Sequence, residues 1–455
     1  VARRSASASG DRVMTTQPEP PSRGTAFRAW LEIGLLSFGG PTAQIAVMHR
    51  VIVERRGWLD DATFLRGLNF CMLLPGPEAH QLVTWLGYRL HGFGGGLAAG
   101  LLFVLPGAAV MALLSLAYAA WQSTPVVASL MFGMKAAVIA LVALALRRLA
   151  LKVLVRPALV VLAVLAFIAM WFGVPYPVVV LSAAGIGAML RATPQGIQAV
   201  DPASVPIPAE SETTGRWMRR SVGVLTLGLV IWWAPVGLAA ILLGPEHILV
   251  QEGLFFGKLA VLSFGGAYAV LSWLQQAAVA DLGWLTTAQM ADGLGLAETT
   301  PGPLILVTQF VGTLAAWRQP APFTPAVAGL LGGAMAVWTT FTPSFLWIFL
   351  AGSAIDRIRP ASLFSRALQG VSAAVVGVIA VLALQLARQT LLPDVAAPSV
   401  MGVVPLTDGL RLDMRALVLT VAAGFAFHRY PSRMGWTLLA CAAAGLIVAR
   451  LTEVR

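Results

Sequence analysis

Two Pro-Gly-Pro triplets set in apolar sequence, LLPGP at 73–77 and TTPGP at 299–303, constrain this chain more than any other feature. Proline withholds a backbone donor and glycine loosens the chain, so each triplet ends one helix and starts another. The surroundings make that a strict condition. Hydrophobic residues are 58% of the 455 and charged residues 11%, with a mean hydropathy of +0.80, whereas a soluble globule carries roughly 25% charged residues. Runs such as Pro125 to Leu146 and Val371 to Leu391 reach the ~20 mostly apolar residues that cross a bilayer. The composition is that of an all-α polytopic membrane protein rather than a soluble enzyme. In lipid a broken helix is tolerated only where the freed backbone is buried in protein or lines a cavity.

The triplets lie 226 residues apart (301 minus 75), and that offset recurs. Ser37-Phe38-Gly39-Gly40 returns as Ser263-Phe264-Gly265-Gly266, and Gly57-Trp58-Leu59 as Gly283-Trp284-Leu285. Three motifs in one frame mark an internal duplication. The register drifts by one at Gly87 against Gly312, and an insertion around Gln319 to Thr324 separates Pro106 from its counterpart Pro343. The chain divides into a tail (1–26), a first repeat (27–190), a cytoplasmic linker with a connecting membrane helix (191–253) and a second repeat (254–455). The tail has no apolar stretch and reads as disordered, not as a signal peptide, with Met14 a candidate start. Cys71 and Cys441 are far apart in apolar segments and support neither a disulfide framework nor a metal site.

Charge separates the two copies. Arg50, Arg55, Arg56 and Arg66 fall in the segment 50–66, while the matching 276–292 has no Lys or Arg. Residues 121–124 are uncharged, but the corresponding stretch holds Arg357, Arg359 and Arg366. Gly173 to Pro177 is neutral against a basic His428 to Arg433. Since cytoplasmic loops are enriched in Lys and Arg, the two halves are expected to be inserted in opposite orientations. The unpaired apolar run Ser221 to Leu243 supplies the odd crossing that inversion requires. The net charge of +11 is thus assigned to orientation in a lipid bilayer, not to nucleic acid. The expected architecture is an inverted-topology repeat with discontinuous helices, a hallmark of secondary transporters. SFGG and PGP read as tips of re-entrant hairpins, giving nine full crossings and four hairpins, with full crossings at the motifs as the alternative.

A helix that begins inside the membrane exposes free N–H groups and the positive end of a dipole. Pro77 and Pro303, placed at first helical positions, would open half-helices suited to an oxyanion. The expected binding set is Pro75, Gly76, Pro77, Pro301, Gly302 and Pro303, with Ser37, Gly39, Gly40, Ser263, Gly265 and Gly266 approaching closely. Ionisable residues within spans are costly and usually functional. Lys135 and Lys258 are candidate anion-binding cations. Lys258 is the repeat equivalent of Glu32 (258 minus 32 is 226), so these two either pair across the pseudo-twofold or act separately. Gln81 would donate a neutral hydrogen bond, as would Asn69, Thr299, Thr300 and Gln309. Glu78 and His80, with Glu32, are candidates for a proton relay, histidine titrating near neutral pH. The bland reading is that Gly and Pro allow tight helix packing and the lysines snorkel. No hydrolase triad, phosphate loop or metal cluster is apparent, and no cofactor is implied.

The runs LEIGLLSFGGPTAQIAVMHRVIVERRGWLDDATF and LLPGPEAHQLVTWLGYRLHGFGGGLAAGLLFVLPG resemble the chromate ion transporter family. GKLAVLSFGGAYAVLSWLQQ, GWLTTAQM and TTPGPLILVTQFVG are similar to that family's second domain. The resemblance covers roughly Phe27 to Arg450. It implies a multi-pass protein of a bacterial inner membrane that exports chromate from the cytoplasm, giving resistance, with sulfate as the chemical mimic. Uptake or exchange of sulfate is the variant reading. A membrane enzyme or sensor would need a catalytic pair in a hydrophilic loop, and the loops lack one. No heptad seam selects between a monomer and a homodimer.

Overall fold

The computed structural model describes residues 21–190, 214–263, 267–351, 362–392, 403–407, 410–430 and 434–453. Of the expected segments, most of the tail and the 191–213 part of the linker lie outside these. The first helix, α1 (Arg23–Leu36), starts inside the expected tail because Ser22 caps it, its side chain accepting from Thr25 N–H.

The duplication extends to local geometry. After α1, α2 (Gly40–His49) runs into a π-helical turn, Arg50–Arg55. In the second half α9 (Ile248–Leu262) is followed by α10 (Ala267–Gln275) and a π-helical turn at Gln276–Asp281, again 226 residues on. Asp60 caps α3 (Asp61–Cys71) through Thr63 N–H. At the equivalent position Thr286 caps α11 (Thr287–Thr299) through Gln289 N–H, in a full capping box. Such caps satisfy donors that a helix start leaves orphaned. Each half then reaches its Pro-Gly-Pro break.

Beyond the first break α4 (Glu78–Trp121) reverses at His91–Gly92, where Gly92 adopts φ 64° and ψ −153°, a backbone shape that glycine tolerates best. Its two arms, 78–90 and 93–121, lie back to back. A Cβ on Gly87 would fall 2.4 Å from the Gly95 carbonyl oxygen, so only hydrogen fits at that crossing. The second half makes the same hairpin from a short 3₁₀ turn (Leu304–Leu306), α12 (Val307–Arg318) and α13 (Pro325–Ala351). There a Cβ on Gly312 would lie 2.7 Å from Gly332 O.

The remaining helices exchange between halves. α5 (Pro125–Val153) packs on α15 (Met414–Arg429) and α16 (Met434–Glu453) of the second half. Reciprocally, α14 (Ser362–Leu391) packs on α6 (Pro157–Trp171) and α7 (Tyr176–Met189) of the first. Glycine sets both contacts: a Cβ on Gly133 of α5 would sit 1.9 Å from Cys441 O, and one on Gly370 of α14 would sit 2.2 Å from Ala183 O. Since lipid tails are as apolar as leucine, close backbone approach rather than water exclusion holds such helices together. α8 (Thr214–Leu243) joins the halves and leaves Val230, Ile241 and Leu242 exposed.

Among the described residues six helices, α4, α5, α8, α13, α14 and α16, are long and apolar enough to cross a membrane. Nine crossings were expected. α6, α7 and α15 have 15, 14 and 16 residues, which at about 1.5 Å per residue falls short of a ~30 Å hydrocarbon core. A two-stranded antiparallel hairpin, β1 (Val403–Thr407) with β2 (Leu410–Asp413), is the departure from all-α structure among the described residues.

Candidate functional site

The two breaks are bonded across the halves. Gly76 N–H donates to Ser263 O at 3.0 Å, and Gly302 N–H donates to Ser37 O at 2.8 Å. Ser37 and Ser263 are the residues at which α1 and α9 end. A helix end leaves carbonyls without an intrahelical partner, and each break supplies the other half with one of the missing donors. Both glycines have positive φ, 122° at Gly76 and 89° at Gly302.

These bonds use up groups that the sequence offers to a ligand. The two glycine amides are taken. The hydroxyls of Ser37 and Ser263 donate back to Ile33 O and Ala260 O at 2.6 and 2.9 Å. Thr299 and Thr300 do the same toward Leu296 O and Ala297 O. Pro77 and Pro303 sit one residue earlier than expected, at the N-cap of α4 and of the 3₁₀ turn. Pro75 O accepts from Gln81 Nε2 at 2.7 Å, and Pro301 O lies against Gly107, where a Cβ would come within 2.1 Å. Gly302 O accepts from Gln44 Nε2 at 2.8 Å. Gly39 and Gly40, with φ of 82° and 79°, open α2 beside Pro41. Gly265 and Gly266 lie outside the described residues.

Groups left over gather at the first break. A cavity there is lined by Gly76 and Pro77 of the first half and by Leu259, Ser263, Ile305 and Thr340 of the second. It offers about 10 Å³ to the centre of a water-sized sphere, room for about one water. Thr340 Oγ1, Ser344 Oγ, Gln81 Oε1 and both ring nitrogens of His80 are buried without a hydrogen-bond partner. Ser344 Oγ and Gln81 Nε2 stand 2.9 and 2.7 Å from where a Gly76 Cβ would be. His80 is fully buried, its ring against Phe103, Phe341 and Phe345. Glu78, half-buried, opens α4 beside it. Buried polar groups in folded proteins are almost always paired, so this concentration marks a place made for something else.

The lysines and Glu32 stand elsewhere. Lys135 Nζ is 3.2 Å from Asp292 Oδ1, and Tyr118 OH donates to Asp292 Oδ2 at 2.8 Å, so its charge is neutralised from the second half. Lys258 is exposed on α9. It does not pair with Glu32, which bonds Arg55 and Arg56 of its own half, the latter at 3.1 Å. Sequence reasoning passed over Asp292, Gln44, Thr340 and Ser344. The signals were there: an acid in the run MADGLGLA, and a polar run TTFTPSF around the repeat counterpart of Pro106.

Twin broken-helix hairpins, locked together inside an apolar multi-helix body, define a polytopic membrane protein of transporter type. The chain belongs to the chromate transporter family, whose model matches residues 24–188 and 250–446. It is 30% identical to the chromate transport protein of Pseudomonas aeruginosa over 385 residues, 84% of this chain and 85% of that one. Identity to the chromate transport protein of Cupriavidus metallidurans is 28%, over 88% of this chain and 92% of the relative. An uncharacterized transporter of Methanocaldococcus jannaschii is 24% identical over 81% of this chain and 85% of its own length. No solved structure matches the chain.

Proposed function

We propose that this protein is a secondary transporter that exports chromate, a tetrahedral dianion, from the cytoplasm. The observation that carries the reading is the cluster of unpaired buried groups at the first break. The hydroxyls of Thr340 and Ser344 are donors without acceptors. Alongside them lie the first-turn amides of α4, which have no intrahelical partner, and the positive pole of that helix. These suit an anion whose oxygens are all acceptors. The relatives' names supply the choice of chromate.

The opposite charge bias of the two halves supports inverted insertion, with both breaks as re-entrant tips near mid-depth. The cavity holds about one water, so a chromate-sized anion enters only once the crossed Gly76–Ser263 and Gly302–Ser37 contacts loosen. In an inverted pair, loosening one contact opens the site to one face and loosening the other opens it to the opposite face. Moving one charge across 100 mV is worth about 2.3 kcal/mol, so a dianion leaving an inside-negative cell gains about twice that. The potential therefore suffices for export. Glu78 and His80 are our candidates for proton movement at the break, while Glu32 is bonded to Arg55 and Arg56.

Everted vesicles carrying the protein accumulate labelled chromate under an imposed potential, with sulfate competing. Accumulation no greater than in empty vesicles overturns the reading.

A further inference from the structure

A second buried carboxylate lies outside the break. Glu252, on the second turn of α9, is fully inaccessible, and neither of its oxygens has a hydrogen-bond partner. It occupies space that Gly332 of α13 leaves empty, one oxygen standing 2.9 Å from where a Cβ on that glycine would be. This is the glycine of the α12–α13 crossing with Gly312. In the first repeat the equivalent of Glu252 is Ala26 (252 minus 226), which makes the acid a feature of one half only.

Nothing nearby balances a charge on it among the described residues. The described side chains of α8, and all of α13, carry no charged group. Arg318 of α12 is engaged by Trp284 O and Gln289. The α8 arginines Arg216, Arg219 and Arg220 precede Val236, which packs on Gly253, by sixteen or more residues, about 24 Å of helix. On α9 itself Lys258 is exposed, and His247 is turned to Ala321 O. An isolated carboxylate so placed costs several kcal/mol to ionise. In the conformation seen it therefore holds a proton.

The same α9–α13 seam leads to the cavity. Leu259 and Ala260 line the cavity from α9 and Thr340 lines it from α13, about two helical turns beyond Glu252 and Gly332, roughly 11–12 Å along each axis. Parting the seam to admit an anion from one face brings water to Glu252 and lets its proton leave to that face. Once the anion has left at the other face, closing the seam takes a proton from there, so anion and proton cross in opposite directions. Proton occupancy and seam geometry are then linked quantities. We propose that Glu252 is a proton-binding site whose loading and release accompany each transport cycle, a role that rests on the transport reading above.

The test reconstitutes the full chain in liposomes with a trapped pH-sensitive dye and drives chromate by an imposed potential at alkaline pH, where chromate stays a dianion. Wild-type flux is expected to move protons in the direction opposite to the anion. Glu252→Gln is expected to keep the anion flux and lose the proton movement, and Glu252→Asp to restore part of it. Proton movement unchanged in Glu252→Gln overturns the assignment and leaves the transport reading intact, whereas absent wild-type flux overturns that reading instead. A second measurement decides Glu252 in either case. An apolar carbodiimide, which modifies protonated buried carboxyl groups, is expected to label Glu252 and to label it less as pH rises, the adduct being located by mass spectrometry. No labelling, or labelling that ignores pH, retires the site.

Discussion

Gly302 N–H donates to the carbonyl of Ser37, 2.8 Å away. The donor belongs to the break of the second repeat and the acceptor to the end of the first helix of the first. With its mirror, Gly76 to Ser263 at 3.0 Å, it joins the halves at four chain discontinuities. Each repeat supplies the donor that the carbonyl closing the other's opening helix accepts, at Ser37 and at Ser263.

Alanine at either glycine tests that interdependence. Positive φ penalises a side chain by about 1–2 kcal/mol, and a strained cap loses part of a bond worth about 1 kcal/mol. At Gly76 the new Cβ also meets Gln81 Nε2 at 2.7 Å and Ser344 Oγ at 2.9 Å, whereas at Gly302 the nearest atom is Phe103 O at 3.3 Å. Thermal unfolding in detergent is expected to place Gly76→Ala below Gly302→Ala and both below wild type. Wild-type stability in both would show that the crossed caps contribute nothing.

Lys135 and Asp292 should behave as a unit. Their side chains are only 22% and 7% exposed, and deleting one partner of such a buried pair strands a charge at a cost of about 3–5 kcal/mol. Lys135→Met and Asp292→Asn are each expected to lower stability more than the double variant does. A double-mutant cycle with additive effects would refute the coupling.

Thr340→Val and Ser344→Ala remove buried hydroxyls that have no hydrogen-bond partner. Removing such a group is neutral or stabilising, by up to about 1–3 kcal/mol, yet an anion would lose a donor. Melting temperature is expected to hold or rise while chromate flux falls. A parallel loss of both would mean that these hydroxyls are structural.

Opposed insertion is checked at Glu54 and Ala280, both exposed and 226 residues apart (280 minus 54). The native Cys71 and Cys441 are buried, so single Glu54→Cys and Ala280→Cys variants report cleanly. An impermeant thiol reagent is expected to reach them from opposite faces. Labelling of both from one face would remove inversion from the description.

Membrane class, the two breaks and the duplication were all legible in the residues, because hydropathy, proline and glycine act locally and leave the same mark in any context. The π-helical turns and paired caps followed the 226-residue frame for the same reason. Partnership was not legible. Glu32 found Arg55 and Arg56 instead of Lys258, and Lys135 found Asp292 and Tyr118, since the choice depends on which helices packing brings side by side. The exchange of hairpins around Gly133 and Gly370, and the burial of Glu252 against a missing side chain at Gly332, likewise arise only when distant segments meet. Sequence determined where this chain must break; the tertiary structure decided which polar groups those breaks consume and which they leave free, because a buried donor is defined by what stands opposite it.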